Sequence, residues 1–209
     1  AVRQELQSPT MKTQLRNLAC DHETSTTFTG GGSCQYEEGS QLSQALVFLH
    51  AHATTTRLVT VTVGGNDVTP CLPQADPLSC ARQALGGLAT SLSKALNELH
   101  AAAPGAKIVV TNYYDPYLAA WFTNPGLASL STTLQAALNN TLASAAAEAG
   151  ATIADLASAF ESTDTTLVNG VPTNVSMICR LTWMCTNNDD HPNDAGYAVI
   201  AAAVAAKLN

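Results

Sequence analysis

The chain has 209 residues, 46% of them apolar and only 12% charged, which is enough for a real core and argues against disorder. A formal charge of −7, with no lysine- or arginine-rich stripe, excludes a nucleic-acid binder held by electrostatics. No apolar run reaches the length of a membrane span, the longest being residues 195–208, and no signal peptide is read, as expected of a mature secreted chain.

Residues 1–14 read as a helix end followed by a Ser8-Pro9 break. Arg16-Asn17-Leu18-Ala19 is a short candidate strand. The run Gly30-Gly31-Gly32 lacks the lysine and the strand-to-helix setting of a phosphate loop, so a flexible loop is expected there. Leu42, Ala45, Leu46 and Leu49 follow helical spacing. Residues 58–63 (LVTVTV) form the clearest strand, β-branched, uncharged and ended by Gly64-Gly65. Leu78, Leu85, Leu88, Leu92, Leu96 and Leu99 make one stripe of a long helix stopped by Pro104-Gly105. A second strand follows at residues 107–111. Leu127, Leu130, Leu134, Leu138 and Leu142 mark another helix, ended at Gly150, and residues 152–156 give a third strand. After a polar stretch, Tyr197, Ile200, Val204 and Leu208 define a terminal helix. Near-continuous apolar strands alternating with long helices predict a single α/β domain over 1–209, a three-layer α/β/α sandwich with a mostly parallel sheet.

The six cysteines pair by proximity as Cys20 with Cys34, Cys71 with Cys80 and Cys179 with Cys185, although six cysteines allow fifteen connectivities. No zinc spacing and no Cys-x-x-Cys occurs, so neither a metal site nor a dithiol redox site is expected, and no cofactor. Three loop-closing disulfides suit an exported, extracellular protein.

Two stretches carry chemistry. Asp189-Asp190-His191-Pro192-Asn193 places carboxylates just before a histidine and a helix. A carboxylate there fixes the ring tautomer and stabilises the imidazolium, which a general base needs; the plainer explanation is a helix N-cap. Gly64-Gly65-Asn66-Asp67 ends a strand, where sheets of this type bind ligands, and an Asn amide there can donate to a developing oxyanion. Its plainer explanation is a turn. Asp21 to Ser25 and Tyr113-Tyr114-Asp115 are further polar clusters at expected strand ends. His50, His52 and His100 read as surface residues, Trp121 and Trp183 as packing, and Asn139 and Asn174 head glycosylation sequons.

Taken together, residues 61–67 (VTVGGND) followed by Asp189-Asp190-His191-Pro192-Asn193 resemble the SGNH hydrolases, also called GDSL esterases and lipases. Residues 17–28 with Gly30-Gly31-Gly32 and Cys34, and residues 112–116 (NYYDP), are similar to further blocks of that family, in its secreted, disulfide-containing members. The resemblance implies a serine hydrolase acting on small-molecule esters or on acylated glycans or lipids. His191 would be the base and Asn66 the oxyanion donor, with Gly65 beside it. It implies Asp189 as the orienting acid, Asp190 pointing away, and a backbone carbonyl near Trp183 as the alternative orienter. The family's second oxyanion donor, a glycine, falls at His22, whose backbone amide could serve; a surface histidine with no role is the alternative.

The chain departs from the family pattern at the nucleophile. No Gly-Asp-Ser occurs, and Gly32-Ser33 and Gly39-Ser40 follow no strand. The family's first strand lies between the one near Leu18 and the one at Leu58, and it is expected to be missing here. Either the sheet closes up, or another chain or fragment inserts a strand, by strand exchange or complementation, or the isolated domain is marginal. The competing expectation is a catalytically inactive descendant that keeps the pocket and binds a ligand or partner.

Overall fold

A computed structural model describes residues 13–208. The helix end and Ser8-Pro9 break expected in residues 1–14 therefore fall almost wholly outside the described residues. Two compact units are present: Arg16–Thr111 with Ala137–Ile153, and Asn112–Ala136 with the chain from Ala154 onward.

The first unit holds α1 (Ser25–Gly30), α2 (Gln41–Ala51), β1 (Leu58–Val61), α3 (Gly65–Val68), α4 (Pro77–Ala102), β2 (Lys107–Thr111), the later part of α5 (Pro125–Glu148), and nearly all of β3 (Thr152–Ala154). The sheet order is β1-β2-β3, with β1 parallel to β2 from Leu58↔Lys107 to Val61↔Val110. Helix α4 has a capped start. Asp76 caps it by accepting from the Ser79 amide, and Pro77 occupies the first turn, where no amide partner is needed. Its stripe is buried from Leu88 through Leu92, Leu96 and Leu99, joined by Leu138 and Leu142 of α5 and Val109 and Val110 of β2. Leu78, at the outer end of the same stripe, is 45% exposed, because the first turn of α4 extends beyond this core.

The strand expected at residues 16–19 does not form. Its backbone groups find side-chain partners instead: the Ala19 amide donates to Asn17 Oδ1, and the Tyr36 hydroxyl donates to the Leu18 carbonyl at 2.7 Å. The triple glycine is not all loop. Gly30 closes α1, and Gly31, at φ +84°, passes so near the Gly39 carbonyl that a Cβ would lie 2.1 Å from its oxygen.

The second unit packs Tyr114, Leu118, Leu156, Phe160, Val175, Met177, Ile178 and Leu181 into one cluster. It is built from a 3₁₀ helix (Pro116–Phe122), α6 (Leu156–Ala159), the hairpin β4 (Leu167–Val168) and β5 (Val171–Pro172), α7 (Thr173–Leu181), α8 (Met184–Asn187) and α9 (Asp194–Ala205). The region expected to be a polar stretch thus carries three helices and a short hairpin. Val175, Ile178 and Leu181 form a three-residue apolar spacing hidden among threonines and asparagines. The three disulfides join Cys20–Cys34, Cys71–Cys80 and Cys179–Cys185, the pairs that proximity suggested.

Candidate active site

The second unit carries the histidine segment. Helix α8 ends at Asn188 in the left-handed conformation (φ 52°, ψ 39°), which turns the chain sharply out of the helix and into Asp189. Beyond the histidine, Pro192 bridges to Thr182, the Trp183 amide donates to the His191 carbonyl at 3.0 Å, and the Asn193 side chain donates to the Arg180 carbonyl at 2.9 Å. Asn193 also caps α9 by accepting from the Gly196 amide. Gly196 must be glycine, since a Cβ there would lie 2.1 Å from the Leu181 carbonyl oxygen. The cap and the candidate base are therefore consecutive features of one segment.

Within it, Asp189 Oδ1 accepts from the His191 ring Nδ1 at 2.6 Å and from the His191 backbone amide at 2.9 Å. Those bonds, the backbone one foremost, hold the Asp189 carboxyl below the usual carboxylate range. An ionised carboxylate can only accept, so Nδ1 carries the ring proton and Nε2 is the basic nitrogen. Asp190, expected to point away, instead brings Oδ1 to 3.4 Å from Nδ1. The Trp183 carbonyl is occupied within α8, accepting from the Asn187 amide at 2.8 Å. Both side chains of the Asp189–His191 pair are open to solvent, the imidazole 60% and the carboxylate 45% exposed. Asp189, Asp190 and His191 also place ligand-type atoms within 4.8 Å of one another. With Nδ1 donating to Asp189, however, it offers no lone pair to an ion.

Behind this segment stands Tyr114. Its ring stacks on Phe160 at 4.2 Å and 11°, and its hydroxyl donates to the Asp190 carbonyl at 2.8 Å. Burial first, then the charge of Asp190, pushes its phenol up, so it remains a donor. Next to it Asp115, 3% exposed, accepts from the Ser131 hydroxyl, the Tyr117 amide and the Thr132 hydroxyl. Burial pushes its carboxyl up to about 6 despite those bonds. Asn112 donates to Asp155 and accepts from the Leu156 and Ala157 amides, capping α6. The 112–115 motif is thus a set of structural fasteners. Trp183, read from sequence as packing, is 43% exposed.

The first unit carries the other candidate residues. Gly64, at φ +120° and tight against Leu88 and Leu138, turns the chain from β1 into α3. Gly65 opens α3, and exposed Asn66 donates through Nδ2 to the Glu23 carbonyl at 3.0 Å, which leaves a second amide N–H for a ligand. Asp67, which sequence reasoning passed over, grips the same segment: its carboxylate accepts from the Ser25 amide at 2.9 Å and the Ser25 hydroxyl at 2.6 Å. Its carboxyl is raised by burial, against the two Ser25 bonds. The Gly-Asn-Asp turn and residues 23–25 are therefore one clasp, which a reading of adjacent residues could not detect.

His22 holds a left-handed backbone (φ 59°), a conformation glycine adopts without strain. Its amide donates to Asp21 Oδ1 at 2.9 Å, and its ring, 84% exposed, meets the same carboxylate. Of the two serines that follow glycines, Ser40 is buried and caps α2, and Ser33 donates to the His22 carbonyl. Neither lies next to a strand.

The chain belongs to the GDSL-like lipase/acylhydrolase family, whose model matches residues 4–199. Among solved structures it is similar to phospholipase A1 from Streptomyces albidoflavus NA297, at 20% identity over 90% of this chain and 77% of that one, with a TM-score of 0.55. No curated protein matches it. The fold is accordingly the α/β/α type of the SGNH hydrolases, here with a three-stranded parallel sheet, and the scaffold is that of an esterase or lipase. Among the described residues no helix is long and apolar enough to cross a membrane, and the three disulfides fit an extracellular protein.

Proposed function

We propose that residues 1–209 form one SGNH hydrolase-like domain, secreted, whose chemistry is hydrolysis of carboxylic esters on small molecules, acylated glycans or lipids. The observation that carries this reading is the 2.6 Å contact between Asp189 and the ring Nδ1 of His191, in a chain of this family. A serine hydroxyl would attack the ester carbonyl while His191 Nε2 takes its proton, and the departing alkoxide would receive that proton as the C–O bond breaks. Water, activated by the same nitrogen, would then release the acid. Asn66 would donate its remaining amide N–H to the oxyanion, with the Gly65 and His22 backbone beside the substrate. The attacking serine is not among the residues assigned here, because no Gly-Asp-Ser occurs in the sequence. Complementation by another chain remains part of the proposal. His191→Ala should abolish hydrolysis of an aryl acetate in an active preparation; unchanged turnover would end this reading.

A second reading, a non-catalytic ligand- or partner-binding protein, is favoured by the lack of Gly-Asp-Ser and by the donation of the His22 amide to Asp21. A fluorophosphonate probe separates the two: covalent labelling of any serine rejects the binding-only reading.

A further inference from the structure

The His191 segment is held from two sides. Thr182, Trp183 and Arg180 clamp its C-terminal half through backbone and side-chain bonds to Pro192, His191 and Asn193. Its N-terminal half, Asp189-Asp190, lies in a turn between α8 and that clamp, and the orientation of the Asp190–His191 peptide is set by what meets each of its two ends. Its N–H end donates to Asp189 Oδ1. Its C=O end receives the Tyr114 hydroxyl, from a ring fixed by stacking on Phe160, itself fully buried. Rotation of this peptide would carry the His191 amide away from Asp189, and Asp189 Oδ1 is the atom that also holds Nδ1.

We propose that Tyr114 is a positioning residue for the candidate base: through its hydroxyl bond to the Asp190 carbonyl it sets the plane of the Asp190–His191 peptide, and so keeps Asp189 on His191 Nδ1. The inference rests on the reading of His191 as the base. It assigns a task to a tyrosine whose hydroxyl meets a backbone carbonyl, that of Asp190, one residue before the histidine. A purely structural tyrosine would act through its ring, which phenylalanine keeps; this one acts through its oxygen, which phenylalanine lacks.

The test is Tyr114→Phe in the whole chain, read by the 15N shifts of the His191 ring, which report which nitrogen carries the proton. Wild type should show the Nδ1–H tautomer in excess, and Tyr114→Phe should reduce the Nδ1–H to Nε2–H ratio by about five-fold or more. In an active preparation kcat should fall about ten-fold with KM unchanged. Asp189→Ala is the control for the underlying reading. If it leaves both the tautomer and turnover untouched, the orienting role of Asp189 fails, and with it the reading on which the proposal rests. If it shifts them while Tyr114→Phe matches wild type, only the role of Tyr114 fails. Should Tyr114→Phe not fold, wild type decides through the hydroxyl proton itself: held by the Asp190 carbonyl it should exchange slowly with solvent, and a Tyr114 hydroxyl proton that exchanges as fast as that of a solvent-exposed tyrosine overturns the proposal.

Discussion

Asp115 makes the structure quantitatively testable. Its carboxyl is buried, and burial carries it from 3.8 to about 6 although Ser131, Tyr117 and Thr132 all donate to it. The folded state therefore holds a proton that the unfolded state releases between those two values. A carboxyl raised on folding contributes stability that is present below pH 3.8 and lost as pH rises through about 6. A rise of about two pH units at about 1.4 kcal/mol each makes that loss about 3 kcal/mol. Asp115→Asn keeps the size and the acceptor for the Tyr117 amide but cannot ionise. Urea unfolding of both proteins at several pH values from 4 to 7 isolates the effect, because Asp155, Asp164 and Asp189, held low in the folded state, cancel in the difference. The variant should gain on wild type by about 2 kcal/mol between pH 4 and pH 7, the rest of the loss falling below pH 4, with most of the gain below pH 6. A difference that stays flat across that range would refute the assignment of a buried, raised carboxyl at this position.

Two further substitutions probe how the candidate base is carried. Gly196→Ala drives a Cβ to 2.1 Å from the Leu181 carbonyl oxygen, so the start of α9 must move off the end of α7. A loss of about 3 kcal/mol in urea unfolding is expected, and an unchanged midpoint would contradict the close approach. Replacing Cys179 and Cys185 together by serine opens a loop of sequence separation 6 and should cost about 2 kcal/mol, against about 3 for Cys20 and Cys34 at separation 14. Denaturation midpoints check both, and the reverse ranking would reject loop closure as the source of the stabilisation.

The sequence by itself determined whatever repeats with a local period or lies within a few residues. The leucine stripe of α4 and the β-branched run of β1 each report a neighbour one turn or one pleat away, and the three disulfides join cysteines close along the chain. Asp189 is legible for the same reason, since it stands two residues before His191, within reach of a single turn. Only the tertiary structure decided contacts whose partners are distant in sequence. Residues 16–19 look like a strand but satisfy their backbone with Asn17 and Tyr36, and Val175, Ile178 and Leu181 become core only because Phe160 and Tyr114 supply the opposing wall. The bond from Tyr114 to Asp190 crosses 76 positions, and those from Asp67 to Ser25 cross 42. Hydrogen bonds leave no periodic trace in composition: a tyrosine that bonds a distant turn through its hydroxyl reads in sequence like one that merely packs, because its partner is a backbone carbonyl that every residue possesses.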